Sequence, residues 1–90
     1  MKFDWDVRKA ETNLRKHGVS FDEAGSVFLD SLAISGPDPD HSVGEQRFIT
    51  FGMSSLGRLL AVSHTHTLGN IRIISARRVA RGERKLYEES

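Results

Sequence analysis

Residues Arg47–Ala76 read RFITFGM-SSLG-RLLAVSHT-HTLGN-IRIISA, and this stretch decides the fold. Arg47–Met53 alternates and is rich in Phe, Ile and Thr, side chains that suit a pleated surface. Ser54–Gly57 is a break of hairpin length. Arg58–Thr65 follows as a second long strand, and the turn Thr67–Asn70 leads into a third, Ile71–Ala76. Connections this short force neighbouring strands to run antiparallel.

Working outward, Leu32–Ser35 reads as a short strand, and Gly36–Ser42 is a loop because two prolines and repeated turn formers constrain the backbone. At the N-terminal end, Asp6 is a helix N-cap, Val7, Ala10 and Leu14 form an apolar stripe, and Gly18 stops the helix. Ser20 and Glu23 have the spacing of a capping box, which starts a second helix running from Phe21 to about Phe28. Phe3 and Trp5 read as a staple pinning the first helix. The last segment, Arg77–Glu89, is helical by composition, with Gly82 a weak point costing about 1 kcal/mol relative to Ala. The order ααββββα predicts one α+β domain over residues 1–90. It has two N-terminal helices, an antiparallel sheet of about four strands and a C-terminal helix.

Composition narrows the class. At 90 residues the chain has room for one domain. The absence of cysteine excludes a disulfide framework, a thiolate nucleophile and a Cys-based zinc site. The longest apolar run, Leu59–Val62, is far too short to cross a bilayer, and no apolar run follows Lys2 as a signal peptide requires. A soluble, cytoplasmic protein is expected. The net charge of +1 is a cancellation: residues 1–45 hold five Lys/Arg against nine Asp/Glu, and residues 46–90 hold eight against three. Seven of those eight cations are arginines. Such asymmetry equips the C-terminal half to bind an anion, and equally lets the two halves attract each other in the fold.

Within Arg77–Glu89, Arg77, Arg81, Arg84 and Glu88 share one ridge of a helical wheel, with Val79 and Leu86 opposite as anchors to the sheet. Planar, permanently charged guanidinium groups on one ridge suit phosphate; the same pattern also describes a solvated face with an Arg–Glu pair. Glu83 and Tyr87 form an i, i+4 pair on its flank. On the first helix Lys9, Asn13 and His17 make a second polar ridge, although His17 beside the helix C-terminus has a simple electrostatic account. His64-x-His66, with Asp38, Asp40 and His41, invites a metal reading, but turn chemistry explains the Asp-Pro-Asp run and His66 falls towards the turn. No metal or cofactor is expected. Phosphate-loop and Gly-x-Ser-x-Gly motifs do not occur.

Three sets of residues now combine. Phe3-x-Trp5-Asp6-x-x-Lys9 with Asn13-x-x-Lys16-His17-Gly18-Val19-x-Phe21-x-x-Ala24 opens the chain. Asp38–Ser42 followed by Glu45-x-Arg47-Phe48-Ile49 stands in the middle, and Ile71–Arg77 with Arg81-x-Glu83-Arg84-x-x-Tyr87-Glu88 closes it. Together they resemble the BrnT family of type II toxins, over almost the whole chain; Gly82 departs from the longer polar residue usual there. The resemblance implies a RelE-like fold and a cytoplasmic endoribonuclease that cuts RNA and inhibits translation. It also implies a BrnA-type ribbon-helix-helix antitoxin as partner, two toxins assembling with two antitoxins. DNA would be met only indirectly through that antitoxin, and no membrane is involved.

RNA carries its own nucleophile, the 2′-hydroxyl, so such an enzyme needs positioning, charge stabilisation and proton transfer. Arg77 and Arg81 are expected to stabilise the developing phosphorane charge, a role worth ~10²–10³ in rate for one donor. For proton transfer His64 has the right ordinary pKa range; Glu45, Glu83 and Tyr87 are weaker candidates, and Tyr87 also suits stacking on a base. Lys9, His17, Arg47 and Arg84 complete the expected RNA-binding surface. A non-catalytic RNA- or operator-binding module and a protein-interaction module would use the same arginine-rich face.

Overall fold

A computed structural model describes residues 2–38 and 46–90. The elements are β1 (Lys2–Asp4), α1 (Val7–His17), α2 (Phe21–Ser26), a 3₁₀ turn (Val27–Leu29), β2 (Ile34–Pro37), β3 (Phe48–Met53), β4 (Leu59–Thr67), β5 (Asn70–Arg78) and α3 (Arg81–Glu88). The α+β architecture and the antiparallel run β2-β3-β4-β5 are as expected. A fifth strand, β1, makes the sheet mixed: it lies parallel to β5, with Phe3 opposite Ile71, giving the order β1-β5-β4-β3-β2. Phe3 is therefore a strand residue rather than a helix staple. Three residues are too few to show an alternating pattern in the sequence.

Both N-terminal helices start and stop as their caps dictate. The Asp6 carboxylate accepts from the Arg8 and Lys9 amides at 2.8 and 3.3 Å, and Gly18 closes α1 in the left-handed region at φ 69°. Ser20 Oγ accepts from the Glu23 amide at 3.0 Å, but the Glu23 side chain does not complete the box. It turns inward to Arg58, whose Nε lies 2.9 Å from Oε2 and whose Nη2 pairs with Oε1, and to the Ser54 hydroxyl at 2.7 Å. Arg58 also donates to the Gly18 carbonyl at 3.0 Å, so one guanidinium ties the α1–α2 junction to the β3–β4 hairpin.

The core is one cluster between α2 and the sheet: Val19, Phe21, Ala24 and Val27 face Leu60, Val62, Ile73 and Ala76. Phe3, Trp5, Ala10 and Phe28 pack around it. At Gly52 the sheet and the 3₁₀ turn approach so closely that an added Cβ would stand 3.1 Å from Val27 Cβ, Val27 O and Ala33 Cβ. By contrast α1 buries no apolar residue; Val7 and Leu14 are more than half exposed. What seats α1 is a polar clamp. Buried Asn13 donates to the carbonyls of Val19 (2.9 Å) and Ala76 (2.8 Å), and accepts from the Ala76 amide (3.1 Å). The side-chain amide thus does for β5 what a neighbouring strand would do, at a place beyond the reach of short β1.

One irregularity sets the direction of the functional side chains. Ser63 pairs with Ser75 but His64 pairs with Ile73, so Ile74 is an extra residue in β5. A bulge switches the side-chain alternation by one. Ile73 and Ala76 both enter the core, and Arg77, opposite Ala61, leaves on the other face.

Candidate functional site

The predicted ridge Arg77–Arg81–Arg84–Glu88 does not exist as one helix face, because Arg77 and Arg78 belong to β5 and α3 begins at Arg81. The pairing of β5 with β4 carries those two residues past the helical composition that the sequence advertises. Val79 and Leu86 do not anchor α3 either: α3 has no buried residue and Leu86 is 57% exposed. Among the described residues, two side-chain contacts hold it. Arg77 grips Glu83 with both guanidinium nitrogens, at 2.7 and 2.8 Å, and the Tyr87 hydroxyl donates to Asp30 at 2.6 Å.

This brings Arg77 and Glu83 together at the corner between β5 and α3. Glu83 Oε1 also accepts the Ala80 amide at 2.8 Å, which satisfies one of the open N–H groups at the helix start. Arg77 holds the Glu83 carboxyl below the usual carboxylate range, against the opposing effect of burial. Arg77 in turn is pushed up, first by Glu83, with Asp38 adding to the negative field. Arg81 and Arg84 are exposed on the same short helix, and Arg84 makes a loose i, i+4 pair with Glu88 at 3.5 Å. An exposed pair of that kind contributes little to stability.

Lys9 and His17 line a cleft of about 380 Å³ between α1 and β5, together with Arg8, Thr12, Lys16 and Ser75. Asn13, expected on their ridge, lines the same cleft while its amide group is spent on the clamp. The clamp is made on Ala76, the residue next to Arg77, so the cationic cleft and the arginine corner adjoin along β5. Arg47 is half-buried just before β3, where its carbonyl accepts from the Asp38 amide at 2.9 Å. Asp40, His41 and Glu45 lie outside the described residues.

His64 and Tyr87, like Glu83, already have partners. His64 is 1% exposed, its Nε2 2.7 Å from Thr50 Oγ1 and its Nδ1 3.0 Å from His66 Nε2. Burial, with His66 adding to it, pushes its pKa down to about 4. His66 belongs to β4 rather than to the turn, which extends the strand's two-residue period to both rings. Tyr87 is held protonated, its pKa pushed up by Asp30. Among the described residues no group of three His, Cys, Asp or Glu side chains is gathered as a metal ion requires. No helix there is long and apolar enough to cross a membrane.

Asp30 and Arg58 are contributors that the residue patterns did not single out, Asp38 was weighed only as a metal ligand, and Lys16 stood only in the opening motif. Lys16 was legible as a neighbour of His17; Asp30 and Asp38 act only through tertiary placement. The comparisons with known proteins bear on the family and the fold. A family model described as the ribonuclease toxin BrnT of type II toxin–antitoxin systems matches residues 5–83. The crystal structure of the Brucella abortus ribonuclease toxin BrnT is similar, with 25% identity and a TM-score of 0.67, covering 90% of this chain and 99% of that one. No curated protein matches the sequence.

Proposed function

Because the chain belongs to the BrnT family of ribonuclease toxins of type II toxin–antitoxin systems, we propose that it is an endoribonuclease that cuts RNA by metal-free attack of the substrate's own 2′-hydroxyl, and so inhibits translation. The observation that carries this reading is the Arg77–Glu83 pair, a phosphate-shaped guanidinium fork and a carboxylate in contact at the β5–α3 corner. An incoming phosphodiester competes with Glu83 for Arg77. As the guanidinium turns to the phosphate, Glu83 loses the partner that keeps its pKa low and becomes a stronger base. It then takes the proton of the 2′-hydroxyl. The 2′-oxygen bonds to phosphorus, the bond to the 5′-oxygen breaks, and the products are a 2′,3′-cyclic phosphate and a 5′-hydroxyl that collects its proton from water. Arg77 and Arg81 neutralise the charge that gathers on the non-bridging oxygens.

Lys9, His17 and Lys16 hold the flanking phosphates in the cleft beside β5, and Arg84 and Arg47 extend the track. Neutral, buried His64 supports the sheet rather than moving the proton, and Tyr87 holds α3 so that Glu83 meets Arg77. As a type II toxin the protein has an antitoxin partner. We infer a BrnA-type ribbon-helix-helix dimer that covers the arginine corner in the cytoplasm, two toxins to two antitoxins.

The test uses protein freed of antitoxin and end-labelled RNA with or without one 2′-deoxy nucleotide at the cut, in excess EDTA. Cyclic phosphate ends are expected on the all-ribose strand and an uncut 2′-deoxy strand, with Arg77→Ala slower by ~10²–10³. Cleavage at the 2′-deoxy position, or full activity in the Arg77→Ala, Arg81→Ala double variant, sinks the mechanism. Salt-sensitive binding that leaves RNA intact points to the non-catalytic module instead.

A further inference from the structure

On the α2 side of the sheet, away from the arginine corner, Phe28, Phe48, His64, His66, Ser35 and Pro37 line a pocket of about 480 Å³. Among the described residues, none that lines it carries a permanent charge. Its walls are aromatic: Phe48 stacks near His64 with ring centres 6.0 Å apart and meets His66 edge-on at 5.2 Å, while Phe28 meets His64 edge-on at 4.9 Å. A hydrogen-bonded relay runs behind them. Ser35 Oγ lies 2.6 Å from Thr50 Oγ1, Thr50 Oγ1 2.7 Å from His64 Nε2, and His64 Nδ1 3.0 Å from His66 Nε2.

With both rings neutral and the proton of the buried Thr50 hydroxyl bonded within the relay, two arrangements of protons are self-consistent. If His66 donates to His64, then His64 donates to Thr50 and Thr50 to Ser35. This leaves an acceptor nitrogen on His66 and a spare hydroxyl proton on Ser35. If the direction reverses, His66 offers the donor and Ser35 the acceptor. In either case the two outer ends present one donor and one acceptor beside aromatic faces. That is the complement of the polar edge of a flat heteroaromatic ring. We propose that this pocket is a subsite for an unpaired nucleobase of the RNA, stacked against Phe48 and His66 and hydrogen-bonded to His66 and Ser35.

The inference rests on the ribonuclease reading for the identity of the ligand, and it separates from that reading in its position. The Ile73 row beside His64 lies about 13 Å along β5 from Arg77, at ~3.3 Å per residue, and the two groups leave opposite faces of the sheet. The base held here is therefore a neighbour of the cut and not the nucleotide being cut. Because the relay reverses without cost to its own bonds, the pocket accepts either order of donor and acceptor. Purines, with the larger stacking face, are expected to bind more tightly than pyrimidines.

Free nucleosides, which lack phosphate, test the pocket apart from catalysis. Adenosine, guanosine, cytidine and uridine are titrated into the ¹⁵N-labelled protein, with ribose 5-phosphate as the control, and amide shifts are followed. Saturable shifts at Ser35, Gly36, Phe48 and His66 are expected in the millimolar range, with binding weakened roughly tenfold in His66→Ala. Phe48→Leu is a second variant, and its unperturbed spectrum elsewhere reports that it is folded. This result supports the subsite even if RNA is never cut. Absence of pocket shifts in a protein that cleaves RNA overturns the subsite and leaves the ribonuclease standing. Shifts of equal size with ribose 5-phosphate, or confined to the α1 cleft, overturn it as well.

Discussion

Replacing Asn13 by alanine removes the clamp that seats α1, and the structure says what that costs. Three backbone groups lose their partner: the carbonyls of Val19 and Ala76 and the amide of Ala76, bonded now at 2.9, 2.8 and 3.1 Å. Asn13 is 6% exposed on the wall of the α1–β5 cleft, so water from the cleft replaces the lost partners only in part. Stranding a buried polar group costs about 1–3 kcal/mol, and partial relaxation makes the three together worth roughly 2–5 kcal/mol. Against a total stability of about 5–13 kcal/mol for a domain of this size, that is a large fraction. At about 4–8 °C per kcal/mol the midpoint of thermal unfolding falls by roughly 8–40 °C. Urea unfolding followed by circular dichroism gives the free energy directly, with the slope unchanged if only the native state is affected.

Asn13→Asp sharpens the test. The carboxylate still accepts from the Ala76 amide but faces two carbonyl oxygens that need donors. Its neutral form is favoured in the fold, so its folded pKa lies above the unfolded value and the variant gains stability relative to the wild type as the pH falls through it. A loss below about 1 kcal/mol in Asn13→Ala, or an Asn13→Asp variant that weakens in acid more steeply than the wild type, refutes the clamp.

Three further outcomes follow from the same geometry. His64, its pKa lowered to about 4 against an ordinary 6.5, binds its proton more weakly folded than unfolded. Stability is therefore lost as pH falls from about 6.5 towards 4; thermal midpoints measured across that window should slope steeply, and His64→Gln should flatten them. Glu23 is held below the usual carboxylate range first by Arg58 and then by Ser54, so its contribution is present above its ordinary 4.5 and is lost as pH falls below it. Glu23→Gln is expected to lower stability at neutral pH and to shrink the acid limb below pH 4.5; an unchanged acid limb counts against the Arg58 tie. Leu68, fully exposed at φ 46°, occupies the first loop position of the two-residue β4–β5 hairpin, where a left-handed residue is required. Leu68→Asn should raise stability by about 0.5–1 kcal/mol in urea titration, and a loss would mean the leucine has a partner in solution.

Much of this fold is written locally. Asp6, Ser20 and Gly18 mark helix ends by chemistry that acts within four residues, and the three long strands are bounded by turns that leave no alternative topology. β1 was not legible, since a three-residue strand is stabilised by its distant partner and not by its own pattern. The site shows the same divide. Arg77, Arg81 and Glu83 stand out as chemistry, but their arrangement depends on where β5 stops, and a helical wheel begun at Arg77 puts a strand residue on a helix. The adjacent Ile73 and Ile74 are the trace of the bulge in the sequence, a break in alternation that sends Ala76 inward and Arg77 outward. Asn13 reads as one more surface polar residue of α1. Only the unpaired edge of a strand sixty-three residues away explains why it is buried.

That separation also orders events during synthesis. β1 pairs with residues 70–72, and α1 is seated by Ala76, so the earliest-made elements find their seats only when β5 has emerged. Chains are made from the N-terminus, and contacts this distant are slow to close. Until then Lys9 and His17 ride on a helix with no strand beneath it, and Arg77 is not yet across from Ala61. The nascent chain therefore passes most of its synthesis as a harmless assortment of parts. The cationic cleft and the arginine corner come into being in the same closing step.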